Sequence, residues 1–322
     1  MKFLFCLLVT VFFATAAVAE AQLPKKVPRI GYLSLRPGVN DSGFRQGLRE
    51  LGYIEGQNVV IEWRFADGKS ERYPALAAEL VHIGVEAIVT NSGDDPILAA
   101  MKATKTIPII FETGSDPVAR GFVASLAHPG GNLTGVSLMA HELGGKRLEL
   151  LKDAVPNLNR VAVLSGPDQR NYDVQMTELK AAAQGLHLEL QPLQMQKADD
   201  VENAFSEMTN AHVRAFFLLV NPAFGAFRNR ILEFATQGKL PGMYSNQDWV
   251  NAGGLMTYAP DRMASARRLA VYVDKILKGT KTTDLPVERP TKFEFVINLK
   301  AAKQIGLTIP QRVLGRADKV IR

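Results

Sequence analysis

Cysteine is almost absent from this chain: Cys6 is the only one among 322 residues, and it lies inside an apolar N-terminal run. Once that run is set aside no thiol remains, which excludes disulfides, cysteine nucleophiles and thiolate metal sites. Histidine is scarce as well. His82, His128, His141, His187 and His212 show no spacing such as His-Glu-x-x-His that would place two imidazoles on one metal ion. Phosphate-binding glycine patterns are missing too. The turn after the first expected strand reads Ser34-Leu35-Arg36-Pro37-Gly38-Val39-Asn40-Asp41-Ser42-Gly43, which is not Gly-x-Gly-x-x-Gly, and no Gly-x-x-x-x-Gly-Lys-Ser/Thr loop occurs. Neither is there a Gly-x-Ser-x-Gly elbow: after Gly135-Val136-Ser137, Met139 stands where the second glycine belongs. No cofactor or metal is expected, and no nucleophile with an orienting base supports an enzyme. The formal charge of +6 is spread over scattered Lys and Arg residues, so a solvated surface is expected and no nucleic-acid partner.

What the N-terminus does contain is Lys2, the apolar run Phe3 to Phe13, and then Ala17-Val18-Ala19. These are the three parts of a secretory signal, assigned to residues 1–19 with cleavage after Ala19 and Ala21 as the second choice. The run of about 11 apolar residues is well short of the roughly 20 that span a bilayer. Cys6 lies within the run, whereas a lipoprotein needs its cysteine just after it. Export to the periplasm is the expectation.

With 47% hydrophobic residues the remainder can fill one large or two medium cores. From Val27 onward, short β-branched runs alternate with stretches of helical period, the pattern of βαβ units and a parallel sheet. Strands are expected at 29–34, 59–65, 86–90 and 107–111, and a second series at 160–164, 188–193, 215–220, 241–245 and 254–258. Asp41 or Ser42 is expected to cap a helix with Phe44, Leu48 and Leu51 on one face and Gly52 at its end. A helix through Lys146 to Lys152 leads into the second series, and Asp261 caps one carrying Leu269, Val273 and Ile276. The tail from Phe293 adds a strand and a helix. The fold class expected is α/β, with two doubly wound Rossmann-like lobes joined by a multi-stranded hinge. Lobe I is placed at 27–137 plus about 259–290, and lobe II at 138–258 plus about 291–322, although by length alone the last elements could return to either lobe.

Three junctions share one design: Thr90 to Pro96, Thr113 to Pro117, and Val220-Asn221-Pro222. Each follows an expected strand and opens an expected helix. Asp or Asn as N-cap accepts from an orphan backbone N–H, and proline just after it has no N–H to leave unpaired. Taken singly, each junction is more simply a cap than a ligand contact. Together they lie at the carboxyl ends of parallel strands, where open α/β sheets bind ligands. Free N–H groups there favour a carboxylate, while Asp94 and Asp116 can receive an ammonium.

Several runs then carry a resemblance: Gly47-Leu48-Arg49-Glu50-Leu51-Gly52-Tyr53, Asp116-Pro117-Val118, Pro129-Gly130-Gly131-Asn132-Leu133-Thr134-Gly135, Lys146 to Lys152, Gly253-Gly254-Leu255-Met256-Thr257-Tyr258 and Leu285-Pro286-Val287. With these the chain resembles the periplasmic substrate-binding proteins of ABC transporters, in the branch that includes tryptophan- and tyrosine-type binding proteins. The resemblance implies a type I periplasmic-binding fold, closure of two lobes around one small solute, and delivery to an ABC permease. It implies ligand contacts from the loops after the strands: Ser34, Ser92, Gly93, Asp94, Ser115 and Asp116 in one lobe, and Gly166, Asn171, Asn221 and Tyr258 in the other. A monomer is expected, touching the membrane only through the permease. The alternative keeps the cleft but presents the closed form to a receptor or kinase ectodomain as a sensor.

Overall fold

The computed structural model describes residues 27–322 apart from Ser92, Pro167 and Asp168. The expected signal segment 1–19, with Cys6, and the candidate Ser92 lie outside the described residues, as does the side chain of Asn171.

The first sheet contains β1 (Arg29–Ser34), β2 (Val60–Phe65), β3 (Ala87–Thr90), β4 (Ile109–Thr113) and β5 (Leu133–Ser137). They run parallel in the order β2-β1-β3-β4-β5. Strands β3, β4 and β5 are buried along their whole length, as a parallel sheet covered on both faces requires. The covering helices α1 (Val39–Glu50), α2 (Tyr73–Ile83) and α3 (Asp94–Ala103) lie in the intervening connections. Leu76, Ala77 and Leu80 of α2 pack with Ile97 and Ala100 of α3 against Leu33, Ile88 and Phe111.

The second series comprises α4 (Gly144–Ala154), β6 (Arg160–Ser165), α5 (Gln169–Gly185), β7 (Glu189–Gln194), α6 (Asp200–Asn210), β8 (Phe216–Leu218), α7 (Arg228–Gln237), β9 (Gly242–Tyr244), α8 (Gln247–Asn251) and β10 (Met256–Pro260). The long helix α9 (Arg262–Leu277) then returns to the first sheet. Its Leu269, Ala270 and Val273 join Phe44 and Leu48 of α1 over Ile30, Tyr32, Val89 and Ile110. Gly43 and Gly47 allow this contact: a Cβ on Gly47 would stand 2.9 Å from the Arg267 backbone and from Ala270 Cβ. The segment after α9 stays on the first sheet, where Thr134 Oγ1 donates to the Leu285 carbonyl at 2.7 Å and the Ser137 amide donates to the Glu288 carbonyl at 2.9 Å.

The chain then crosses back into β11 (Phe293–Asn298), α10 (Leu299–Gln304), α11 (Gln311–Leu314) and β12 (Lys319–Ile321). The second sheet has the order β12-β11-β10-β9-β8-β6-β7, parallel except where β11 meets β10 antiparallel. Two doubly wound α/β units thus share three crossings among the described residues, at 138–143, 261 and 289–292.

Three local expectations are corrected. Helix α1 starts at Val39, and Asp41 sits at its third position, where the carboxylate reaches back to accept from the Gly38 amide at 2.7 Å. Leu51 closes that helix at 36% exposure instead of packing inward. Helix α3 starts at Asp94, behind Gly93 at φ 103°, so Pro96 is its third residue and does not directly follow the cap. Finally, Asp116-Pro117 opens no helix. Its backbone makes a single turn, with the Arg120 amide on the Asp116 carbonyl at 3.0 Å, and Gly121 at φ 72° ends it.

Candidate functional site

In β1, β3 and β4 the side chains alternate across the sheet, so Tyr32 and Ser34, then Asn91, then Glu112 face the α1 and α9 side at the carboxyl rim. Ser34, 1% exposed, donates from Oγ to Asn91 Oδ1 at 2.9 Å, and Asn91 Nδ2 donates to the Tyr32 hydroxyl. Asn40, in the first turn of α1, donates from Nδ2 to Glu112 Oε1 at 2.8 Å. Burial pushes the carboxyls of Glu112 and Asp41 above the usual carboxylate range, against the pull of Arg262. The Tyr32 hydroxyl is driven well up by burial and then by the charges of Asp41 and Glu112. This is a desolvated polar layer under the rim.

On the other face, Asp94 collects three donors: Thr113 Oγ1 at 2.7 Å, Ser115 Oγ at 3.0 Å and Arg120 Nε at 2.7 Å. These bonds lock the turn after β4 to the start of α3. Asp94 is therefore occupied by protein donors, and Ser115 is held beside it. Asp116 accepts from the amides of Val118 at 2.9 Å and Ala119 at 3.2 Å, so its carboxylate orders the outer turn. Gly93 supplies a left-handed conformation that lets the backbone turn into α3.

The rim of the second sheet is built in the same way. Asn221 caps the short turn at Pro222–Ala226, accepting from the Ala223 amide at 2.9 Å. Gly166, directly after β6, lies against that side chain, and a Cβ there would stand 2.3 Å from Asn221 Nδ2. Tyr258, half-buried on β10, stacks on Phe293 with ring centroids 5.7 Å apart. The two rims approach each other: a Cβ on Gly114 would lie 3.9 Å from Val220 Cγ1, one residue before Asn221. The structure thus groups Ser34 with Asn91, Asp94 with Ser115, and Gly166 with Asn221. It places Tyr258 on a separate strand, β10, at the crossing.

Contacts at the crossings join the two units. Arg147 of α4, 2% exposed, donates to the carbonyls of Tyr258 at 2.7 Å, Ser245 at 2.9 Å and Ala140 at 3.3 Å. Burial lowers its guanidinium to about 10. Arg262, the first residue of α9, pairs with Asp248 of α8, and Arg289 pairs with Glu142 at 2.7 Å. Asn40, Glu112, Arg147 and Arg262 were passed over as site residues in the sequence, and Asp41 was read only as a helix cap. A signal existed for two of them: Glu112 interrupts the apolar run of β4, and Arg147 shares the inward stripe with Leu148 and Leu151.

Among the described residues, no cluster of three or more His, Cys, Asp or Glu side chains forms a metal-binding group. No described helix is long and apolar enough to cross a membrane.

The chain is similar to a tyrosine-binding protein of Clostridioides difficile, with 26% identity over 290 residues covering 88% of this chain and 82% of that protein. A crystal structure of an ABC domain in complex with L-Trp from Streptococcus pneumonia shares 27% identity at a TM-score of 0.81, covering 91% of this chain and 99% of that one. A conserved domain protein from Vibrio cholerae shares 27% identity at a TM-score of 0.83, covering 92% and 100%. Residues 38–321 match the family described as ABC transporter substrate binding protein. With two doubly wound units, opposed polar rims and a match over most of its length, the chain belongs to the ABC transporter substrate binding protein family.

Proposed function

We propose that the protein captures an amino-acid-like, carboxylate-bearing solute between its two lobes outside the cytoplasm and hands it to an ABC permease. The observation that carries this reading is the approach of the β4 turn, with Gly114 and Ser115, to the β8 turn, with Val220 and Asn221. Only a closed arrangement offers the solute contacts from both sides, so solute binding favours closure. Relatives that bind tyrosine and L-Trp support an amino acid as the solute class. The contacts are assigned to Ser34, Ser92, Gly93, Ser115 and Asp116 on one rim and to Gly166, Asn171, Asn221 and Tyr258 on the other. Asp94 acts with them by holding Ser115 in place. Lobe I comprises 27–137 with about 259–290, and lobe II the rest. The protein works as a monomer in the periplasm after removal of residues 1–19, and it meets the membrane through its permease.

The test is thermal unfolding of the purified mature protein against a panel of amino acids, with L-tryptophan and L-tyrosine included. A specific solute at about a hundred times its Kd adds about 2.7 kcal/mol to stability. A panel in which no amino acid or organic acid raises the Tm would remove this reading.

A further inference from the structure

Asn40 and Glu112 share one hydrogen bond, and each keeps one oxygen with no partner. Asn40 Nδ2 donates to Glu112 Oε1 at 2.8 Å, while Asn40 Oδ1 and Glu112 Oε2 are buried and unpaired. The residues are 2% and 4% exposed. Both orphan atoms are acceptors if the carboxyl is ionised, and a buried acceptor left without a donor keeps its desolvation cost without any bond to offset it. A carboxamide offers one donor arm and one acceptor arm. A carboxylic acid offers the complementary pair, whereas a carboxylate offers two acceptors.

The surroundings fit a neutral acid. The groups acting on Glu112 are Asn40 from α1, Tyr32 from β1 and Arg262 from α9, and Asp41 of α1 acts on the same Tyr32. Asp41 brings a second carboxyl into the same layer, and Tyr32 brings a hydroxyl that is itself hydrogen-bonded. Arg262 is the nearby cation, but its Nη1 is committed to Asp248 on α8. Its influence on Glu112 is through space.

We propose that Glu112 carries a proton on Oε2 and donates it to Asn40 Oδ1, closing a cyclic acid–amide pair that positions the first turn of α1 on the end of β4. One proton satisfies both orphan oxygens, and no charge is buried. Glu112 is thus a positioning residue for the rim that carries Ser34. The pair stands whichever solute the cleft takes. The desolvation that holds its carboxyl above the usual range acts in the same direction.

The test compares the full mature chain with Glu112→Gln and Glu112→Ala. Glutamine reproduces the neutral acid, with one donor arm and one acceptor arm, and it cannot ionise. Because the folded state holds the proton more tightly than the unfolded chain, this site lowers wild-type stability as pH rises above the ordinary carboxylate range near about 4. The expected result is that E112Q folds with a Tm at least equal to wild type at neutral pH and loses this part of the decline, while E112A loses stability at every pH. The infrared difference spectrum of wild type minus E112Q should show the C=O stretch of a protonated carboxyl at neutral pH. A difference spectrum containing only carboxylate bands would overturn the proposal. So would an E112Q variant as damaged as E112A, because glutamine would then fail to replace the acid.

Discussion

Arg147 Nε lies 2.7 Å from the carbonyl oxygen of Tyr258, so a helix of one connection is bonded to the last strand before the chain leaves the second sheet. The same guanidinium holds Ser245 and Ala140, which brings the 138–143 crossing and the β9 end to one planar group. Arginine suits this place because its planar fork presents several fixed donors at once.

Replacing Arg147 with Met keeps much of the apolar stem and removes every donor. Two buried carbonyls and the half-buried one of Tyr258 then lose this donor, and the expected loss is about 3 kcal/mol. Urea unfolding of R147M against wild type checks this. Lysine should recover only part of the loss, since one ammonium cannot span all three oxygens. Equal stability of R147M and wild type would show that water replaces the guanidinium.

The α1 and α9 contact rests on the absence of side chains at Gly43 and Gly47. Gly47→Ala puts a methyl 2.9 Å from the Arg267 backbone, which cannot swing aside as a flexible side chain could. Overpacking of this kind costs about 1–3 kcal/mol. Gly185→Ala, in α5 with nothing near its Cβ, is the control and should be neutral or slightly stabilising. Thermal unfolding of both variants separates the crowding from ordinary helix propensity.

Gly166→Ala tests the second rim. Its methyl would meet Asn221 Nδ2 at 2.3 Å and displace that side chain from its place beside the cleft. The expected outcome is about a tenfold loss of solute affinity, equivalent to about 1.4 kcal/mol, with little change in the Tm of the free protein. Calorimetric titration with the amino acid that gives the largest thermal shift measures it. Unchanged affinity would separate Asn221 from solute binding.

Acid should loosen the 282–288 segment. The Arg268 guanidinium beside Glu288, donating at 2.6 and 2.5 Å, holds that carboxyl below the usual range. A depressed folded value means that the contribution is present above the unfolded carboxylate range and lost as pH falls through the folded value. Arg268→Met should therefore lose stability at neutral pH and converge with wild type in acid. This slope is opposite in sign to that expected for Glu112. Coincident curves for R268M and wild type would show that the pair contributes nothing measurable, and parallel but offset curves would show that titration of Glu288 is not the cause of the difference.

Much of the fold was legible in the chain. The strands at Arg29–Ser34 and Phe293–Asn298 have the bounds expected from their apolar runs, and Asp261 accepts from the Ala264 amide as a cap should. Errors arose where local chemistry had two uses. Asp94 and Asp116 both read as carboxylates open to an ammonium, at junctions that also read as caps before proline. Asp116 caps a turn that Gly121 cuts short, and Asp94 is drawn to Thr113, Ser115 and Arg120. The short edge strand β12 has little apolar signal of its own and forms by pairing with β11.

By itself the sequence determined the alternation of strand and helix, because apolar period and turn chemistry are local properties that survive in any environment. It also determined that thiol chemistry is absent beyond Cys6. Only the tertiary structure decided that α9 packs on α1 through Gly43 and Gly47, that the Gly114 turn faces Val220, and that Asn40 meets Glu112 across 72 positions of chain. Those relations depend on which surfaces exclude water together. Burial gives Glu112 and Arg147 their character, and burial is a property of the assembled layers, not of either residue's neighbours in the chain.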